Sequence, residues 1–170
     1  KQTVAGGMMT LGIPPYRLPK EIVNLEMDAI RDIGVQIRTG VDIGKDVTVD
    51  QLRKEGFQAI FLSIGAHECK TLGMDGEGLE GVYPGVDFLR DANLGKETRV
   101  GKRVAVIGGG NVAMDAVRTS LRLGAEKALI LYRRGLEEMP AHSEEIKDAE
   151  SEGAEINVLT LPKRIIGQNG

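Results

Sequence analysis

The chain has 170 residues, of which 22 are Lys or Arg and 25 are Asp or Glu, so its formal net charge is −3 at pH 7. This mild acidity argues against a nucleic-acid groove or an anionic-membrane surface, and the single cysteine, Cys69, excludes an internal disulfide and a cluster held by cysteines. No apolar stretch reaches the roughly 18 residues of a transmembrane helix, and the cysteine usage predicts a reducing cytoplasm.

The first part of the chain is predicted to hold short elements between turns. Residues 1–18 are rich in Gly and Pro and are expected to be irregular. A helix is predicted over 19–33 with Gly34 as its stop, and its buried stripe would comprise Ile22, Leu25, Ala29, Ile30 and Ile33. Further elements are expected as a strand at 35–38, a small helix at 49–55, a buried central strand at 57–64 and a short helix at 86–93.

From Lys102 onwards the pattern changes to strands that alternate with helices. Strands are predicted at 103–107, 128–132 and 155–159, and helices at 111–123 and 143–152. Such alternation predicts an α/β fold with a Rossmann-like parallel sheet in βαβαβ order. We place a domain junction between Asn93 and Lys102, which divides the chain into 1–95 and 96–170.

A glycine-rich turn joins the first of these strands to its helix. Residues 104–113 read Val-Ala-Val-Ile-Gly-Gly-Gly-Asn-Val-Ala, which matches G-x-G-x-x-A between a strand and a helix. Gly108 would allow the tight turn, Gly110 would leave room for a pyrophosphate, and Ala113 would let the helix pack closely on the strand. The pattern predicts a dinucleotide site, with a packing turn that binds no ligand as the alternative.

The start of the following helix would complete this site. Gly109, Asn111 and Val112 lie in the same turn, where the free N–H groups of a helix N-terminus attract phosphate. Asn111 is predicted to be the N-cap. The core-facing stripe of this helix is expected to consist of Ala116, Val117 and Leu121.

Two arginines, Arg133 and Arg134, follow the second predicted strand. NAD-binding versions of the motif carry an acidic residue near this point, which accepts a hydrogen bond from the ribose 2′-OH. Here the first carboxylate after this strand is that of Glu137, so no acidic residue lies at that point. The guanidiniums of the two arginines would instead pair with a 2′-phosphate. The sequence therefore favours NADPH over NADH, with solvated loop charges as the alternative interpretation.

Several segments together resemble the small (beta) subunit family of NADPH-dependent glutamate synthase. The same flavoprotein module occurs in dihydropyrimidine dehydrogenase and in ferredoxin:NADP oxidoreductases of the transhydrogenase type. The resemblance lies in the glycine-turn helix and in the segments around it, namely residues 6–19, 61–66, 79–89, 110–125, 131–134 and 138–141.

The resemblance implies two nucleotide-binding domains, with the NADPH domain inserted into the FAD domain. Residues 1–95 would be part of the FAD-binding domain and a linker, and residues 96–170 part of the NADPH-binding domain. Gly7 and Arg17 would lie beside the flavin, Val41 near the adenine, and Gly65 and Ala66 near the FAD phosphates.

The implied activity is hydride transfer from NADPH to FAD, followed by electron transfer to iron–sulfur clusters in a partner subunit or domain. The family carries an earlier G-x-G-x-x-G motif for FAD, which this sequence lacks. We therefore expect an interior part of a longer protein that is inactive by itself. The alternative function is a non-catalytic nucleotide-binding or subunit-docking module with a Rossmann-like fold.

The remaining polar residues give no catalytic or metal-binding prediction. The two histidines, His67 and His142, do not belong to a cluster with the spacing of metal ligands, so each is expected to have a structural or surface role. Asp115 and Arg118 are expected to form a local ion pair on the first helix of the βαβ unit. Residues 144–148 are expected to form a solvated helix face.

Overall fold

The computed structural model describes residues 1–167, in which four helices come first and short strands then alternate with helices. None of the helices in this range is long and apolar enough to cross a membrane. In chain order the elements are α1 (Gly7–Leu11), α2 (Lys20–Asp32), α3 (Val49–Lys54), α4 (Gly85–Asn93), β1 (Arg103–Ile107), α5 (Asn111–Arg122), β2 (Lys127–Leu131), a 3-10 turn (Leu136–Glu138), α6 (Ser143–Ser151) and β3 (Glu155–Asn157).

The three strands form one parallel sheet in the order β1-β2-β3. Ile107 of β1 pairs with Leu131 of β2, and Leu131 pairs with Asn157 of β3. The carboxyl ends of all three strands therefore lie at the same edge of the sheet. The predicted α/β class and the parallel βαβαβ order are confirmed.

The core lies between this sheet and the two helices of the βαβ unit. Met114 and Val117 of α5 pack with Ala128 and Ile130 of β2 and with Ala149 of α6. The predicted stripe of α5 is confirmed, because its first two members are buried and the third packs on the core from its edge. A second cluster joins α4 to α5 through Phe88, Leu89 and Ala116.

The helices of the N-terminal part have locally encoded ends. Gly34, with φ +95°, terminates α2 as predicted, since a residue without Cβ adopts this conformation freely. Thr48 and Gln51 form a capping box at the start of α3. Helix α1 was not expected, because residues 1–18 are rich in Gly and Pro; it forms over five residues, with Leu11 buried at its end.

The predicted buried stripe of α2 is wrong. Leu25 and Ile33 are 69 and 81 % exposed, and the buried residue is Val23. Val23 packs against the start of α1, where a Cβ on Gly6 would come within 2.9 Å of its Cγ1. The apolar spacing correctly predicted a helix. Within residues 1–167, however, the side of α2 that packs against the protein is the one that carries Val23.

The strands predicted at 35–38 and 57–64 do not form. Both segments lack regular structure, and Phe61 is 91 % exposed. Within residues 1–167 neither segment has a paired strand beside it, since the described sheet contains only β1, β2 and β3. An apolar run indicates burial, but a strand also needs a neighbour that accepts and donates its backbone hydrogen bonds.

The third strand is shorter than the predicted 155–159 because the chain turns at Leu159, which has φ +54°. Pairing continues irregularly beyond the strand, with the N–H of Leu159 donating to the carbonyl of Arg134 at 3.0 Å. The N–H of Thr160 donates to the carbonyl of Tyr132 at 2.8 Å. The segment after β3 therefore holds the backbone that follows β2.

Candidate dinucleotide-binding site

The glycine turn lies at the carboxyl end of β1 and is tied to the neighbouring strand. The N–H of Gly108 donates to the carbonyl of Leu131 at 3.1 Å. Gly108 has φ +143°, a conformation that side-chain-bearing residues rarely adopt. The predicted tight turn is therefore present, and glycine at position 108 follows from the backbone itself.

Packing requires glycine at position 109. A Cβ there would lie 2.5 Å from Cδ2 of the Tyr132 ring. The ring cannot move away freely, because Tyr132 is buried and its hydroxyl donates to the carbonyl of Glu138 at 2.8 Å. The Tyr132 ring thus packs against the glycine turn, a contact that the sequence motif does not indicate.

Position 110 differs because the protein has room for a side chain there. Gly110 has φ −95° and ψ 176°, which is extended backbone that any residue adopts. A Cβ would meet nothing nearer than Cγ of Pro140, at 3.9 Å. Neither the backbone nor the packing explains this glycine, whereas the close approach of a ligand to the backbone would.

Helix α5 begins directly at this open position. Gly110 is its N-cap, and the first turn contains no acidic residue. Among the described residues, the N–H groups of Asn111 and Val112 have no acceptor, whereas those of Ala113 and Met114 donate to the carbonyl of Gly110. Two free donors and the positive end of the helix dipole therefore face the same open space.

The prediction that Asn111 is the N-cap is wrong by one residue. The extended backbone of Gly110 takes the cap position, so Asn111 is the first residue of α5. Its side chain accepts a hydrogen bond from the backbone N–H of His142 at 3.1 Å. Asn111 therefore fastens the segment before α6 to the start of α5.

That segment forms a wall beside the glycine turn. The N–H of Ala141 donates to the carbonyl of Gly109 at 3.1 Å, and Pro140 lies nearest to the open position at Gly110. The motif does not indicate this wall. The only signal for it in the sequence was the resemblance at residues 138–141.

Arg133 and Arg134 lie at the same edge of the sheet as the glycine turn, because they follow β2 and the ends of β1 and β2 are paired. Both side chains are exposed, and within residues 1–167 neither forms an ion pair. Their backbone is held by the segment after β3. Two guanidiniums are thus available to an anion beside the glycine turn.

The residues expected near the flavin are not brought together by the described contacts. Gly7 begins α1, Val41 lies in an irregular segment, and Gly65 and Ala66 are exposed. No hydrogen bond within residues 1–167 joins these four positions or Arg17 to one another, so the role of all five stays a prediction.

The expected ion pair between Asp115 and Arg118 is not formed. Asp115 pairs with Arg17, whereas Arg118 pairs with Glu145, Asp148 and Glu152 of the α6 region. Each of the two side chains thus has a partner on another segment of the chain in place of the expected local one.

The 144–148 face is therefore only partly solvated, since Glu145 is half-buried against Arg118 and Arg17. Residues 1–167 contain no group of three or more His, Cys, Asp or Glu side chains that could hold a metal ion.

Comparison with known proteins identifies the family. Residues 7–170 match the pyridine nucleotide-disulphide oxidoreductase family. The chain belongs to this family. The three-stranded parallel sheet and the glycine turn before α5 agree with that assignment.

Three relatives illustrate the similarity. The beta subunit of the NADP(+)-dependent formate dehydrogenase of Moorella thermoacetica is 46 % identical over 170 residues, covering 98 % of this chain and 24 % of the relative. The beta subunit of the NADPH-Fe(3+) oxidoreductase of Geobacter sulfurreducens is 45 % identical over 164 residues, covering 95 and 24 %. The glutamate synthase [NADPH] small chain of Escherichia coli is 36 % identical over 178 residues, covering 97 and 37 %.

These relatives confirm the resemblance to the glutamate synthase small-subunit family. The chain spans about a quarter of the length of the first two. Among solved structures, FprA of Mycobacterium tuberculosis in complex with NADPH has a TM-score of 0.67 at 20 % identity, covering 89 % of this chain and 39 % of FprA. A 2-naphthoyl-CoA reductase has a TM-score of 0.73 at 14 % identity, covering 98 and 24 %. Both likenesses concern the fold.

Proposed function

We propose that this chain is the NADPH-binding portion of a flavin-dependent oxidoreductase that passes hydride from NADPH to FAD. The open position at Gly110 carries the proposal, because a Cβ there would meet no protein atom nearer than 3.9 Å. The free N–H groups of Asn111 and Val112 face the same space, which is the arrangement that binds a pyrophosphate. The names of the three relatives, all of which include NADP+ or NADPH, support the same nucleotide.

Two separate sets of residues would bind the two charged groups of the nucleotide. The start of α5 would hold the pyrophosphate, and Arg133 and Arg134 would pair with the 2′-phosphate, which NADH lacks. NADPH and FAD supply the hydride chemistry when bound, and the protein contributes position and electrostatics. We accordingly assign no acid, base or nucleophile to this chain.

The arrangement of domains is part of the same proposal. Residues 1–95 would belong to the FAD-binding domain and a linker, and residues 96–170 to the NADPH-binding domain. Gly7, Val41, Gly65 and Ala66 would lie along the FAD. The core that α4 shares with α5 supports a close association of the two parts.

The electrons would leave the flavin through iron–sulfur clusters in a partner subunit or another domain. Three relatives are named as beta or small subunits, which supports a partner. The single cysteine supports a location in the cytoplasm, where thiols stay reduced.

Anaerobic addition of NADPH to the full-length protein tests the function. We expect the flavin absorbance to bleach with NADPH and to bleach much more slowly with NADH. A full-length protein without flavin, or a bound flavin that NADPH leaves oxidised, would contradict the proposal and favour a non-catalytic docking module.

A substitution at the open position tests the site itself. Gly110→Val should weaken NADP+ binding in a calorimetric titration, because the side chain would occupy the space of the pyrophosphate. Gly78→Val is the matched control, since Gly78 also has free space around it and lies in a turn to which no role in the site is assigned. Equal affinities for both variants would remove the role assigned to this turn.

A further inference from the structure

Arg17 bridges two helices that lie far along the chain from it. Its Nη1 contacts Oδ2 of Asp115 in α5 at 2.8 Å, and its Nε contacts Oε1 of Glu145 in α6 at 2.9 Å. Arg17 and Asp115 are 98 residues apart in sequence. One side chain therefore joins the segment before α2 to both helices of the βαβ unit.

Tyr16 widens this contact. Its ring lies under the guanidiniums of Arg118 and Arg122, at 4.6 and 4.2 Å from the ring centroid. Both arginines are held in place by Glu152, at 2.7 and 2.8 Å. We call this set the Arg17 clamp, comprising Tyr16, Arg17, Asp115, Arg118, Arg122, Glu145 and Glu152.

The central carboxylate of the clamp is held at an energetic cost. Burial raises the pKa of Asp115, and the hydrogen bond and charge of Arg17 offset this only in part. Oδ1 of Asp115 is buried and has no hydrogen-bond partner among the described residues. When the attraction between two charges does not offset the cost of their desolvation, the ion pair is poor evidence for stabilisation of the fold. The pair then points to a different role, which is to fix the relative position of the two segments that it joins.

Glu152 shows the opposite balance in the same clamp. Burial raises its pKa, but the hydrogen bonds from Arg122 and Arg118 outweigh burial and leave the pKa of Glu152 lowered. The arginines therefore outweigh burial at Glu152, whereas burial outweighs Arg17 at Asp115.

We propose that Arg17 is a positioning residue, whose bridge to Asp115 and Glu145 fixes residues 14–18 against the helix that begins at the glycine turn. Residues 14–18 are continuous in sequence with the rest of the N-terminal part of the chain. The bridge therefore sets where that part lies relative to a dinucleotide bound at the glycine turn. The inference rests on the proposed function, and it replaces the flavin contact that the resemblance implies for Arg17.

Arg17→Met in the full-length protein tests the clamp by amide hydrogen exchange without any nucleotide. The amides of residues 17 and 18 donate to the carbonyl of Pro14 within the same turn, so their exchange reports opening of the turn, which release of the segment from α5 would allow. We expect their exchange to rise about tenfold or more. Arg31→Met is the matched control, because Arg31 pairs with Asp28 on the exposed side of α2 and should leave these amides unchanged.

Two kinetic readouts separate positioning from binding in the same variants. Arg17→Met should slow flavin reduction at saturating NADPH by about tenfold or more, as misplacement of reacting groups does, and leave the Kd for NADP+ within about twofold. Arg17→Lys keeps the charge but lacks the planar fork that reaches both carboxylates, so it should give intermediate values. It also serves if Arg17→Met fails to fold.

The outcomes distinguish the two proposals. Normal flavin reduction in both the wild type and Arg17→Met would contradict the positioning role alone. Loss of bound FAD from Arg17→Met with unchanged exchange at residues 17 and 18 would also contradict it and restore the flavin contact. A wild-type flavin that NADPH does not reduce would contradict the proposed function, and the positioning role with it.

Discussion

The three glycines of the turn are glycine for three different physical reasons. Gly108 has a positive φ of +143°, Gly109 lies against the Tyr132 ring, and Gly110 faces open space with ordinary backbone angles. Only the last is unexplained by the fold. Alanine at each position therefore separates folding from ligand binding.

Gly109→Ala should lower the free energy of unfolding by about 1–3 kcal/mol, the usual cost of forcing an extra methyl into a packed site. Gly110→Ala should change it by less than about 1 kcal/mol in either direction, because alanine fits the native angles and restricts the unfolded chain but caps a helix less well than glycine. Urea unfolding of both variants measures the difference. A larger loss for Gly110→Ala than for Gly109→Ala would contradict this assignment.

Asp115 makes stability depend on pH in a direction opposite to that of most carboxylates. Arg17 and Arg118 favour its charged form and Glu145 opposes it, but burial dominates and raises its pKa above the ordinary 3.8. The folded state then binds the proton more tightly than the unfolded state. The contribution of Asp115 to stability therefore falls as pH rises from 3.8 through its raised folded value, and is constant above that.

Asp115→Asn removes this titration. The free energy of unfolding of the wild type minus that of Asp115→Asn should decrease as pH rises through this window, measured by urea unfolding at a series of pH values. Asp28→Asn, which removes an exposed carboxyl of α2, is the control. A difference that increases with pH would show that Arg17 outweighs burial.

At the scale of elements, one arginine of α5 makes most of the ion pairs to the α6 region, beside the apolar core that the two helices share. The side chain of Arg118 is only 7 % exposed and reaches Glu145, Asp148 and Glu152, whereas Arg122 is 49 % exposed and reaches only Glu152. Removing one partner of a buried pair leaves charges uncompensated. Removing an exposed partner costs little because solvent already screens it.

Arg118→Met should therefore lower the free energy of unfolding by about 2 kcal/mol or more, somewhat below the cost at a fully buried pair. Arg122→Met should lower it by less than about 1 kcal/mol. The two variants form a matched pair, since both arginines also stack on Tyr16. Equal losses would mean that the shared stacking on Tyr16, rather than the buried ion pairs, determines the cost of removing Arg118.

The elements of the βαβ unit could be predicted because their signals are local. The periodicity of α5 and the glycines at its start depend on neighbouring residues, and the predicted strands and helices agree with the structure to within a residue or two at most ends. The predictions at 35–38 and 57–64 failed, because a strand also depends on a partner that the apolar pattern does not specify.

In the candidate site, too, the features encoded by local sequence were predicted, and those that depend on distant contacts were not. The motif located Gly108, Gly110 and the two arginines after β2 correctly at one edge of the sheet. The support of Gly109 by Tyr132 and the bridge from Arg17 to α5 were missed. Both depend on contacts between residues that are distant in sequence, which no local pattern encodes.

For the whole molecule, we propose that the chain binds NADPH through the 2′-phosphate and the pyrophosphate of the nucleotide. Each hydrogen bond to a charged group is worth about 1.5–3 kcal/mol, less where solvent screens it. Loss of two guanidiniums should therefore weaken NADPH binding roughly a hundredfold or more, since about 1.4 kcal/mol is tenfold. NADH has a hydroxyl in place of the phosphate and should lose little.

Titration of NADPH and NADH into the full-length protein that carries Arg133→Ala with Arg134→Ala, at fixed low salt, measures this most directly. Arg31→Ala with Arg53→Ala changes the net charge equally at exposed positions of α2 and α3 and is the control. We expect a loss of NADPH affinity in the Arg133 and Arg134 variant alone, with NADH nearly unchanged. Equal losses for both nucleotides, or no loss for either, would contradict it.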